Sequence, residues 1–494
     1  MLRGLFLFLS FAINSIVYAQ SNVTSLTSLP SSVEKQLTQA KLPAASISVT
    51  VLPLQAQNGK ATLSFQAQRL VAPASTMKLV TSAIALDELG PQFRWKTQLL
   101  ASATPTDGVL NAPLYLKGFA DPNLTWEKFA IMLRSLRQQQ IRVIEGDLIL
   151  DRSYFNPARP ELQTTQFDDN PDAYYNVVPD ALMVHSNLSA LEYKSDGKKI
   201  AVQMLTPLAN IKINSNLRVN DRPCGEWKSG LQNPKIFIQE MGRIEIYLNG
   251  TYPKNCQSVH YQNLIERNTY IAAMFKAFWS ELGGTWQGKV RDGTAPTEAK
   301  VLVERTSDTL ADTLRIVNKF SDNGMARISF LTLGAQANLL TTTSSIQITS
   351  QNTTQNAAQE VARLWFAKKN INSEGLVIEN GSGLSRLDRI STQQLAGVLQ
   401  AVYQGNWWPE FASSLPIVGV DGTMQKRLKN TNAEARARIK TGYLKDVVAI
   451  AGYVRDIHQV EYIVVAIINH DDAAKGKAAL DEVINWVAQG QLPN

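Results

Sequence analysis

The sequence predicts a mixed α/β protein in which a helix-rich domain is divided by a β-rich insert. Apolar residues recur with helical spacing before residue 93 and again after residue 265. Between these positions, short alternating segments are separated by Gly, Pro, Asn and Asp, which is typical of β-structure. The chain has 494 residues, enough for several domains. We therefore expect one domain formed by residues 20–92 and 265–494, with an insert of residues 93–264.

The N-terminus has the pattern of an export signal. A basic start precedes an apolar run over residues 5–17, and small residues occupy the −3 and −1 positions relative to a cut after Ala19. We predict that residues 1–19 are a cleaved signal peptide. The alternative is a membrane anchor, but the run is short for a span and is interrupted by Asn14. No later stretch reaches the ~18 apolar residues of a spanning helix, so no transmembrane anchor is expected.

Four elements are predicted before the insert. A helix begins at Ser31, where Ser31 and Glu34 match a capping box. Strands are predicted over residues 45–54 and 62–69. A second helix opens near Pro73, and its broad apolar face predicts that it is largely buried. The residues of that face are Met77, Val80 and Ile84 in one row and Leu79, Ala83 and Leu86 in the next.

The remaining elements follow the same two periodicities. Within the insert, strands are predicted at residues 114–116, 146–150, 235–239 and 243–248. After it, helices are predicted at residues 270–282, 310–317 and 357–366, strands at 435–441, 447–454 and 462–469, and a closing helix at 473–487.

Composition narrows the chemistry. The formal charge is +7, but Lys and Arg form no basic patch or stripe, so nucleic-acid binding is not expected. The two cysteines, Cys224 and Cys256, predict one disulfide in an exported chain, with two buried free thiols as the alternative. Four scattered histidines and no zinc-binding spacing predict chemistry without a metal or another cofactor.

The main chemical signal is a set of three short motifs. The first places Ser75 and Lys78 three residues apart on the second helix, where residues with that spacing share a face. A serine hydroxyl is a poor nucleophile until a neighbouring base takes its proton. A lysine can be that base if burial or another cation lowers its pKa toward neutrality. Lys78 is therefore placed to activate Ser75.

The other two motifs supply groups for proton transfer and binding. The second contains Ser321, which can pass a proton to a leaving amine, and Asn323, which can bind a substrate amide. The third, Lys440, Thr441 and Gly442, ends a strand. Its lysine and threonine can bind a terminal carboxylate, and its glycine lets a substrate backbone lie along the strand edge.

Each motif also has a match elsewhere in the chain. Context separates the matches, because only the first set combines a periodic helix, a strand end and the right order along the chain. Any single match is uninformative, whereas the ordered set is a strong signal. The other matches are Ser32 with Lys35, Ser195 with Lys198, Ser350 with Asn352, and Lys228 with Gly230.

The ordered trio resembles the signature of penicillin-binding proteins and serine β-lactamases. Further segments resemble the D-Ala-D-Ala carboxypeptidase/endopeptidase family typified by penicillin-binding protein 4, the class C low-molecular-mass type. The resemblance extends from about residue 42 to the C-terminus. The segments that carry it are residues 73–78, 146–151 followed by Phe155, 318–323, 381–386 and 421–424.

The resemblance implies a fold. It is an α/β (α+β) transpeptidase/β-lactamase-like domain with a five-stranded antiparallel sheet flanked by helices. In the family, two small β-rich domains are inserted between the first and second motifs, and residues 93–264 occupy that place here.

The resemblance also implies catalytic roles for the first two motifs. Ser75 corresponds to the acylated nucleophile and Lys78 to its general base. Ser321 and Asn323 correspond to the residues that relay protons and hold the substrate.

The third motif corresponds to the substrate-binding strand. Lys440 and Thr441 match the residues that position the substrate carboxylate, followed by Gly442. The backbone N–H groups of Ser75 and Tyr443 correspond to the oxyanion hole, where such donors contribute on the order of 3 kcal/mol each to the transition state.

A side-chain pocket is also implied, with departures from the family pattern. In relatives that cut diaminopimelate stems, it involves an aspartate and a phenylalanine of the insert and an arginine, for which Asp151, Phe155 and Arg386 are candidates. The alternative for Asp151 and Phe155 is a structural role in a turn and in the core. Lys445 replaces a neutral residue, which leaves the stem preference open, and Asn380 replaces the usual aspartate.

The function implied is that of a penicillin-sensitive serine D-Ala-D-Ala carboxypeptidase/endopeptidase, periplasmic, with peptidoglycan stem peptides and β-lactams as partners. The alternatives are a β-lactamase or esterase on the same scaffold, or a non-catalytic wall-peptide binding protein. Class A β-lactamases lack an insert this long, and the intact motif side chains argue against a silent binder. The sequence leaves open a homodimer and peripheral membrane contact.

Overall fold

The computed structural model describes residues 26–54, 62–162, 167–168, 170–239, 243–341 and 353–492. The predicted signal peptide, residues 1–19, and the motif match at Ser350 lie outside these ranges. Within them, every helix is too short or too polar to cross a bilayer.

The helices that the structure describes are α1 (Ser31–Gln39), α2 (Met77–Leu89), α3 (Trp126–Gln138), α4 (Arg267–Glu281), α5 (Leu310–Lys319), α6 (Asn323–Thr341), α7 (Thr354–Lys368), α8 (Thr392–Tyr403), α9 (Trp408–Ser414) and α10 (Lys477–Ala488). The strands of the first half are β1 (Ile47–Pro53), β2 (Leu63–Phe65), β3 (Lys96–Ala101), β4 (Val109–Leu110), β5 (Leu114–Gly118), β6 (Val143–Ile144), β7 (Leu148–Asp151), β8 (Ser189–Ser195), β9 (Ile200–Met204), β10 (Ile211–Ser215) and β11 (Arg218–Asn220). Those of the second half are β12 (Lys235–Ile238), β13 (Ile244–Leu248), β14 (Thr251–Pro253), β15 (Gln257–Gln262), β16 (Thr285–Trp286), β17 (Val290–Asp292), β18 (Lys300–Thr306), β19 (Ala437–Leu444), β20 (Val447–Arg455) and β21 (Glu461–Asn469).

A five-stranded antiparallel sheet is the centre of the helix-rich domain, in the order β19-β20-β21-β1-β2. Helices α1 and α10 cover one face, and α2 and α8 cover the other. Because both faces are covered, β20 and β21 are buried at nearly every position, although their sheet is antiparallel. The predicted fold, a five-stranded antiparallel sheet flanked by helices, is confirmed.

Strand β19, which carries the third motif, is an edge of this sheet. The start of α2 packs beside it, and a Cβ on Gly442 would come within 2.9 Å of the Pro73 carbonyl oxygen. Helix α2 is buried continuously from Met77 to Leu86, as predicted. The fold therefore brings the first and third motifs together at one sheet edge.

The β-rich insert forms further sheets around a second hydrophobic core. Its largest sheet has the order β17-β7-β5-β3-β18, and α3 and α4 contribute to the same core. Residues 265–306 form α4, which packs in this core, and β16, β17 and β18, which pair with β6, β7 and β3, so we propose that the insert extends beyond the predicted boundary at residue 264. A helix that packs on any sheet has the same apolar stripe, so periodicity could not assign α4 to one domain or the other.

The predicted capping box at Ser31 is wrong. Ser31 is already the first helical residue, and Pro30 occupies the N-cap position without a side-chain hydrogen bond. Proline is accepted there because it has no N–H to satisfy. Cys224 and Cys256 form the predicted disulfide, which joins a 3-10 helix to the segment before β15.

Candidate active site

Ser75 lies in a short 3-10 turn, Ala74–Thr76, that leads directly into α2. The turn begins with a positive φ of 47° at Ala74, and the Thr76 hydroxyl donates to the Pro73 carbonyl at 2.7 Å. Ser75 is half-buried, so its hydroxyl remains reachable from the solvent side. The backbone of this turn thus holds Ser75 at a partly exposed position directly before α2.

Lys78 is completely buried below Ser75. Its Nζ donates to Ser75 Oγ at 3.0 Å, to Asn323 Oδ1 at 2.6 Å and to the Ser382 carbonyl at 2.7 Å. Burial lowers the pKa of Lys78 to about 7, although the charges of Asp322 and Asp388 act in the opposite direction. An amine with such a pKa is available as a base near neutral pH.

The Ser382 carbonyl belongs to a tight loop of residues 379–388, which we call the GSG loop. It packs so closely on the Ser75 turn that a Cβ on Gly383 would lie 1.8 Å from the Ala74 carbonyl oxygen. The Thr81 hydroxyl donates to the Gly381 carbonyl at 2.6 Å. These contacts fix the carbonyl that receives the Lys78 hydrogen bond.

The second motif lies between α5 and α6. Ser321 has a positive φ of 62°, and Asn323 is the first residue of α6. While Asn323 Oδ1 accepts from Lys78, its Nδ2 donates to the Tyr175 carbonyl at 3.0 Å. A loop of the insert therefore contacts the motif directly.

The third motif completes the cluster. Lys440 is fully buried, and its Nζ donates to Ser321 Oγ at 2.9 Å and to the Thr441 carbonyl at 2.8 Å. Burial and then the charge of Lys78 put the pKa of Lys440 well below its usual range. The Thr441 hydroxyl lies 2.9 Å from that of Thr423.

The free edge of β19 presents backbone donors to the site. The Ile439 N–H points away from β20, since it donates to the Pro416 carbonyl at 2.9 Å. Alternate residues of an antiparallel strand point their N–H groups in the same direction. The N–H groups of Thr441 and Tyr443 therefore face the same edge, beside the Ser75 turn.

The structure thus brings the motif side chains of Ser75, Lys78, Ser321, Asn323, Lys440 and Thr441 together. The other described matches lie away from it in bonds of their own: Ser195 Oγ donates to the Pro253 carbonyl at 2.5 Å, and Ser229 Oγ to the Glu226 carbonyl at 2.7 Å. The match at Ser32 and Lys35 lies on α1, which packs against α10.

Arg386 lies at the outer end of the GSG loop. Its Nη1 is 3.4 Å from Asp446 Oδ1 in a pair that is about half exposed, and Lys445 beside it is exposed. Arg386 also acts on Asp168 of the insert. Burial raises the pKa of Asp168, but hydrogen bonds from the loop, including the Tyr175 hydroxyl, and the charge of Arg386 outweigh this, so that pKa is below its usual value.

The structure places Asp151 and Phe155 in the interior. Asp151 is fully buried, accepts the backbone N–H groups of Ser153 and Ala295 at 2.9 Å, and pairs with Lys117 at 3.3 Å. Phe155 is part of the hydrophobic core. These environments favour the structural alternative for both residues, and their role in substrate binding stays a prediction.

Sequence reasoning missed Asp168 and Tyr175, which border the site instead. Tyr175 provides the carbonyl that binds Asn323, and its hydroxyl donates to Asp168 at 3.0 Å. Asp168 lies in an irregular segment and Tyr175 in a single 3-10 turn, Tyr174–Asn176, so neither has the periodicity of a longer element. The one available signal was the local excess of Asp, Asn and Tyr over residues 168–176.

Comparison with known proteins agrees with this geometry. A model of the D-Ala-D-Ala carboxypeptidase 3 (S13) family matches residues 29–490. A D-alanyl-D-alanine carboxypeptidase of Actinomadura sp. (strain R39) is 25% identical over 452 residues, 88% of this chain and 80% of that protein. The carboxypeptidase DacB of Haemophilus influenzae is 26% identical over 409 residues, 80% of each chain. The crystal structure of penicillin binding protein 4 from that organism superposes with a TM-score of 0.72 at 21% identity, covering 92% of this chain and 99% of that one.

Proposed function

Because the chain belongs to the D-Ala-D-Ala carboxypeptidase 3 (S13) family, we propose that it is a serine peptidase that forms an acyl-enzyme at Ser75. Its substrates are the D-Ala-D-Ala ends and the D-alanyl cross-links of peptidoglycan stem peptides. The observation that carries this proposal is the hydrogen-bond network in which Lys78 joins Ser75 to Asn323, while Lys440 joins Ser321 to the free edge of β19.

Lys78 acts as the general base. Asn323 Oδ1 and the Ser382 carbonyl can only accept hydrogen bonds, so a neutral Lys78 amine donates both of its N–H groups to them. The lone pair of the amine is then left for the Ser75 hydroxyl, 3.0 Å away. The hydroxyl proton moves to Nζ as Ser75 Oγ attacks the carbonyl carbon of the penultimate D-Ala.

The N–H groups of Ser75 and Tyr443 stabilise the oxyanion that forms, and such donors contribute on the order of 3 kcal/mol each. Collapse of the intermediate breaks the peptide C–N bond, and Ser321 delivers a proton to the departing amine. Lys440, which bonds Ser321 Oγ, replenishes that proton. In the second step, water gives its hydroxyl to the acyl carbon and its proton, through Ser321, to Lys440. As the ester C–O bond breaks, Lys78 returns the proton that it took up to Ser75 Oγ.

Lys440 and Thr441 receive the terminal carboxylate of the substrate. A buried ammonium is costly without a partner charge, and a bound carboxylate supplies it. Penicillin has a carboxylate beside a strained amide, so we expect it to acylate Ser75 in the same way. A structure of the Haemophilus influenzae penicillin binding protein 4 is a complex with a β-lactam, which supports this expectation.

Arg386 and Asp168 are the proposed contacts for the side chain of the third stem residue. They have opposite charges and interact electrostatically, so they match the ammonium and carboxylate of a diamino acid. Lys445 lies beside them and adds a positive charge.

Export supports access to this substrate, and we propose that residues 1–19 direct the chain to the periplasm. Mature protein that begins at Gln20 by mass spectrometry would support cleavage, and retention of residues 1–19 would contradict it.

The test is release of D-Ala from a synthetic pentapeptide that ends in D-Ala-D-Ala, and cleavage of a cross-linked muropeptide dimer. We expect the wild type to act on at least the first substrate and Ser75→Ala to lose activity by more than about 10³-fold. Unchanged hydrolysis by Ser75→Ala, or no hydrolysis of either substrate by the wild type, would contradict the proposal.

A further inference from the structure

A buried carboxyl outside the three motifs belongs to the loop whose Ser382 carbonyl binds Lys78. Asp388 is fully buried at the neck of the GSG loop, where its Oδ1 accepts the Glu379 N–H at 2.7 Å. Its second oxygen, Oδ2, is buried and has no hydrogen-bond partner among the described residues. A carboxylate oxygen buried in this way is costly unless a nearby positive charge compensates it.

One positive charge that acts on Asp388 is that of Lys78, which touches the same loop through the Ser382 carbonyl at 2.7 Å. The three hydrogen-bond acceptors of Lys78 are all neutral oxygens, so none of them balances its charge. The compensation must come from carboxylates at longer range. Asp322 and Asp388 are the two that act on Lys78 electrostatically.

These two carboxylates differ in what else they do. Asp322 belongs to the second motif, and its Oδ1 accepts the Met325 N–H at 2.8 Å at the start of α6. Asp388 makes one backbone hydrogen bond and leaves its other oxygen without a partner. The charge of Lys78 acts on both carboxyls, but Asp388 is the one that lies outside the motifs and has a buried oxygen without a hydrogen-bond partner among the described residues.

We propose that Asp388 is a positioning residue that acts through Lys78, by supplying the buried negative charge that sets when Lys78 becomes a free base. The inference rests on the proposed function, because it assigns Lys78 as the base that activates Ser75. It extends the machinery to a residue that does not touch the reacting atoms.

The charges around this pair are defined. Glu379 and Arg389 on its own hairpin and Lys78 act electrostatically on Asp388. Asp322 in the turn before α6 and Lys440 on β19 interact in the same way with Lys78. Burial raises the pKa of Asp388 to about 7 and lowers that of Lys78 to about 7. Two interacting groups in the same range titrate as a pair. The ammonium–carboxylate form and the amine–carboxylic acid form then contain the same number of protons.

Asp388→Asn tests the proposal because it keeps the oxygen that accepts the Glu379 N–H and removes the charge. Loss of a nearby negative charge lowers the pKa of Lys78. The second-order rate constant of acylation by penicillin rises with pH up to a plateau, and we call this rise the acid limb. In Asp388→Asn, the acid limb should move to lower pH by about 0.5–1 unit, with the plateau little changed. At a fixed pH on the acid limb, the variant should therefore be acylated about three to ten times faster than the wild type.

Asn380→Asp should shift the limb in the opposite direction. Asn380 Oδ1 accepts from the Ser382 N–H at 3.1 Å and from its hydroxyl at 2.7 Å, both of which an aspartate retains. The change adds a charge beside the carbonyl that binds Lys78, so the limb should move to higher pH. The double variant Asn380→Asp/Asp388→Asn should return toward the wild-type profile, which a purely structural role of Asp388 would not produce.

Asp456→Asn is the matched control. Asp456 is also buried at the neck of a hairpin, where its Oδ1 accepts the N–H groups of His458 and Val460 at 2.8 Å. We expect this variant to leave the acid limb in place. An unmoved limb in both Asp388→Asn and Asn380→Asp would overturn the proposal.

The proposed function can fail separately, if the wild type forms no adduct at Ser75. Titration of the Lys78 side chain by NMR, with ¹³C-labelled lysine and Lys78→Ala for assignment, then decides the inference without any activity. The Lys78 pKa should fall in Asp388→Asn and rise in Asn380→Asp. If the pKa of Lys78 is the same in the wild type, Asp388→Asn and Asn380→Asp, the inference is contradicted. This result can be read even if one of the variants is less stable than the wild type.

Discussion

Lys78 combines complete burial with contacts to three neutral oxygens, and its reactivity follows from both. Burial alone disfavours the ammonium form, and the two oxygens that only accept direct the lone pair of the neutral amine toward Ser75. The same side chain on the surface would be protonated at neutral pH and could not act as a base.

This arrangement predicts the pH dependence of acylation. Burial lowers the pKa of Lys78 to about 7, and the proposed mechanism requires its neutral form. The acylation rate should therefore rise as the pH increases through about 7 and fall about tenfold per unit well below it. Stopped-flow or quench measurements with a reporter β-lactam between pH 5 and 9 would check this, and a flat profile through that range would contradict Lys78 as the base.

Substitution of Lys78 and substitution of Lys440 should affect the acylation rates of different substrates. Lys78→Ala should slow acylation by every substrate by about 10²–10⁴-fold, because its work is proton transfer. Lys440→Ala should slow substrates with a terminal carboxylate far more than esters or thioesters without one. Acylation rates for a carboxylate substrate and its neutralised analogue in both variants decide the matter. Equal losses for the two analogues in Lys440→Ala would assign that lysine to the chemistry instead.

At this scale, the residues that local motifs mark could be predicted from the sequence. Ser75, Lys78, Ser321 and Lys440 come together as expected because short motifs sit on regular elements. Asp168 could not be found, since it is brought to Arg386 by an irregular loop of the insert. Asp388 was missed for a related reason: its significance depends on burial beside Lys78, which no spacing along the chain reveals.

Among the elements, the GSG loop packs very closely against the turn that carries Ser75, and its position depends on this contact. Gly383 has a φ of 78°, and any Cβ there would meet the Ala74 backbone. Gly383→Ala should displace the loop, remove the Ser382 carbonyl from Lys78 and slow acylation by about 10²-fold. Gly90→Ala is the matched control, because Gly90 also has a φ of 78° but open space around it. Acylation of both variants at the wild-type rate would contradict the positioning role of the loop.

The disulfide is the element-scale prediction for the insert. Cys224 and Cys256 close a loop with a sequence separation of 32, which restricts the unfolded chain. Replacing both by Ala should lower the free energy of unfolding of the insert by about 2–4 kcal/mol. Non-reducing peptide mapping and denaturant unfolding with and without the bond would measure this. Free thiols in the exported protein, or equal stability of the variant, would contradict it.

Element types were predictable where periodicity was strong, and element boundaries were not. The predicted strand over residues 62–69 is reduced to Leu63–Phe65, and the strand over 45–54 begins at Ile47. Helices α3, α6, α8 and α9 were not predicted, and α3 lies within the segment that was predicted to be mostly β. Helix α6 has little separation of polar and apolar faces because it packs against α2, α5 and α7. The secondary structure of such a segment depends on its tertiary contacts, which cannot be read from the local pattern of a single sequence.

On the scale of the whole molecule, the insert has a hydrophobic core of its own, separate from the two that cover the faces of the central sheet. We propose that the insert extends from residue 93 to about residue 306, since α4 and β18 pack with it. It also reaches the catalytic machinery, where the Tyr175 carbonyl binds Asn323. We therefore propose that the insert contributes to substrate selection.

The central claim is that one serine, Ser75, is acylated. Its most direct test is intact-mass analysis of the purified protein after reaction with a penicillin, followed by peptide mapping of the adduct. We predict one adduct per chain on the Ser75 peptide, no adduct in Ser75→Ala, and an unchanged adduct in the control Ser32→Ala, which alters the matching motif on α1. Stoichiometric labelling of Ser75→Ala would contradict the account, and sustained penicillin hydrolysis without an accumulating adduct would favour a β-lactamase instead.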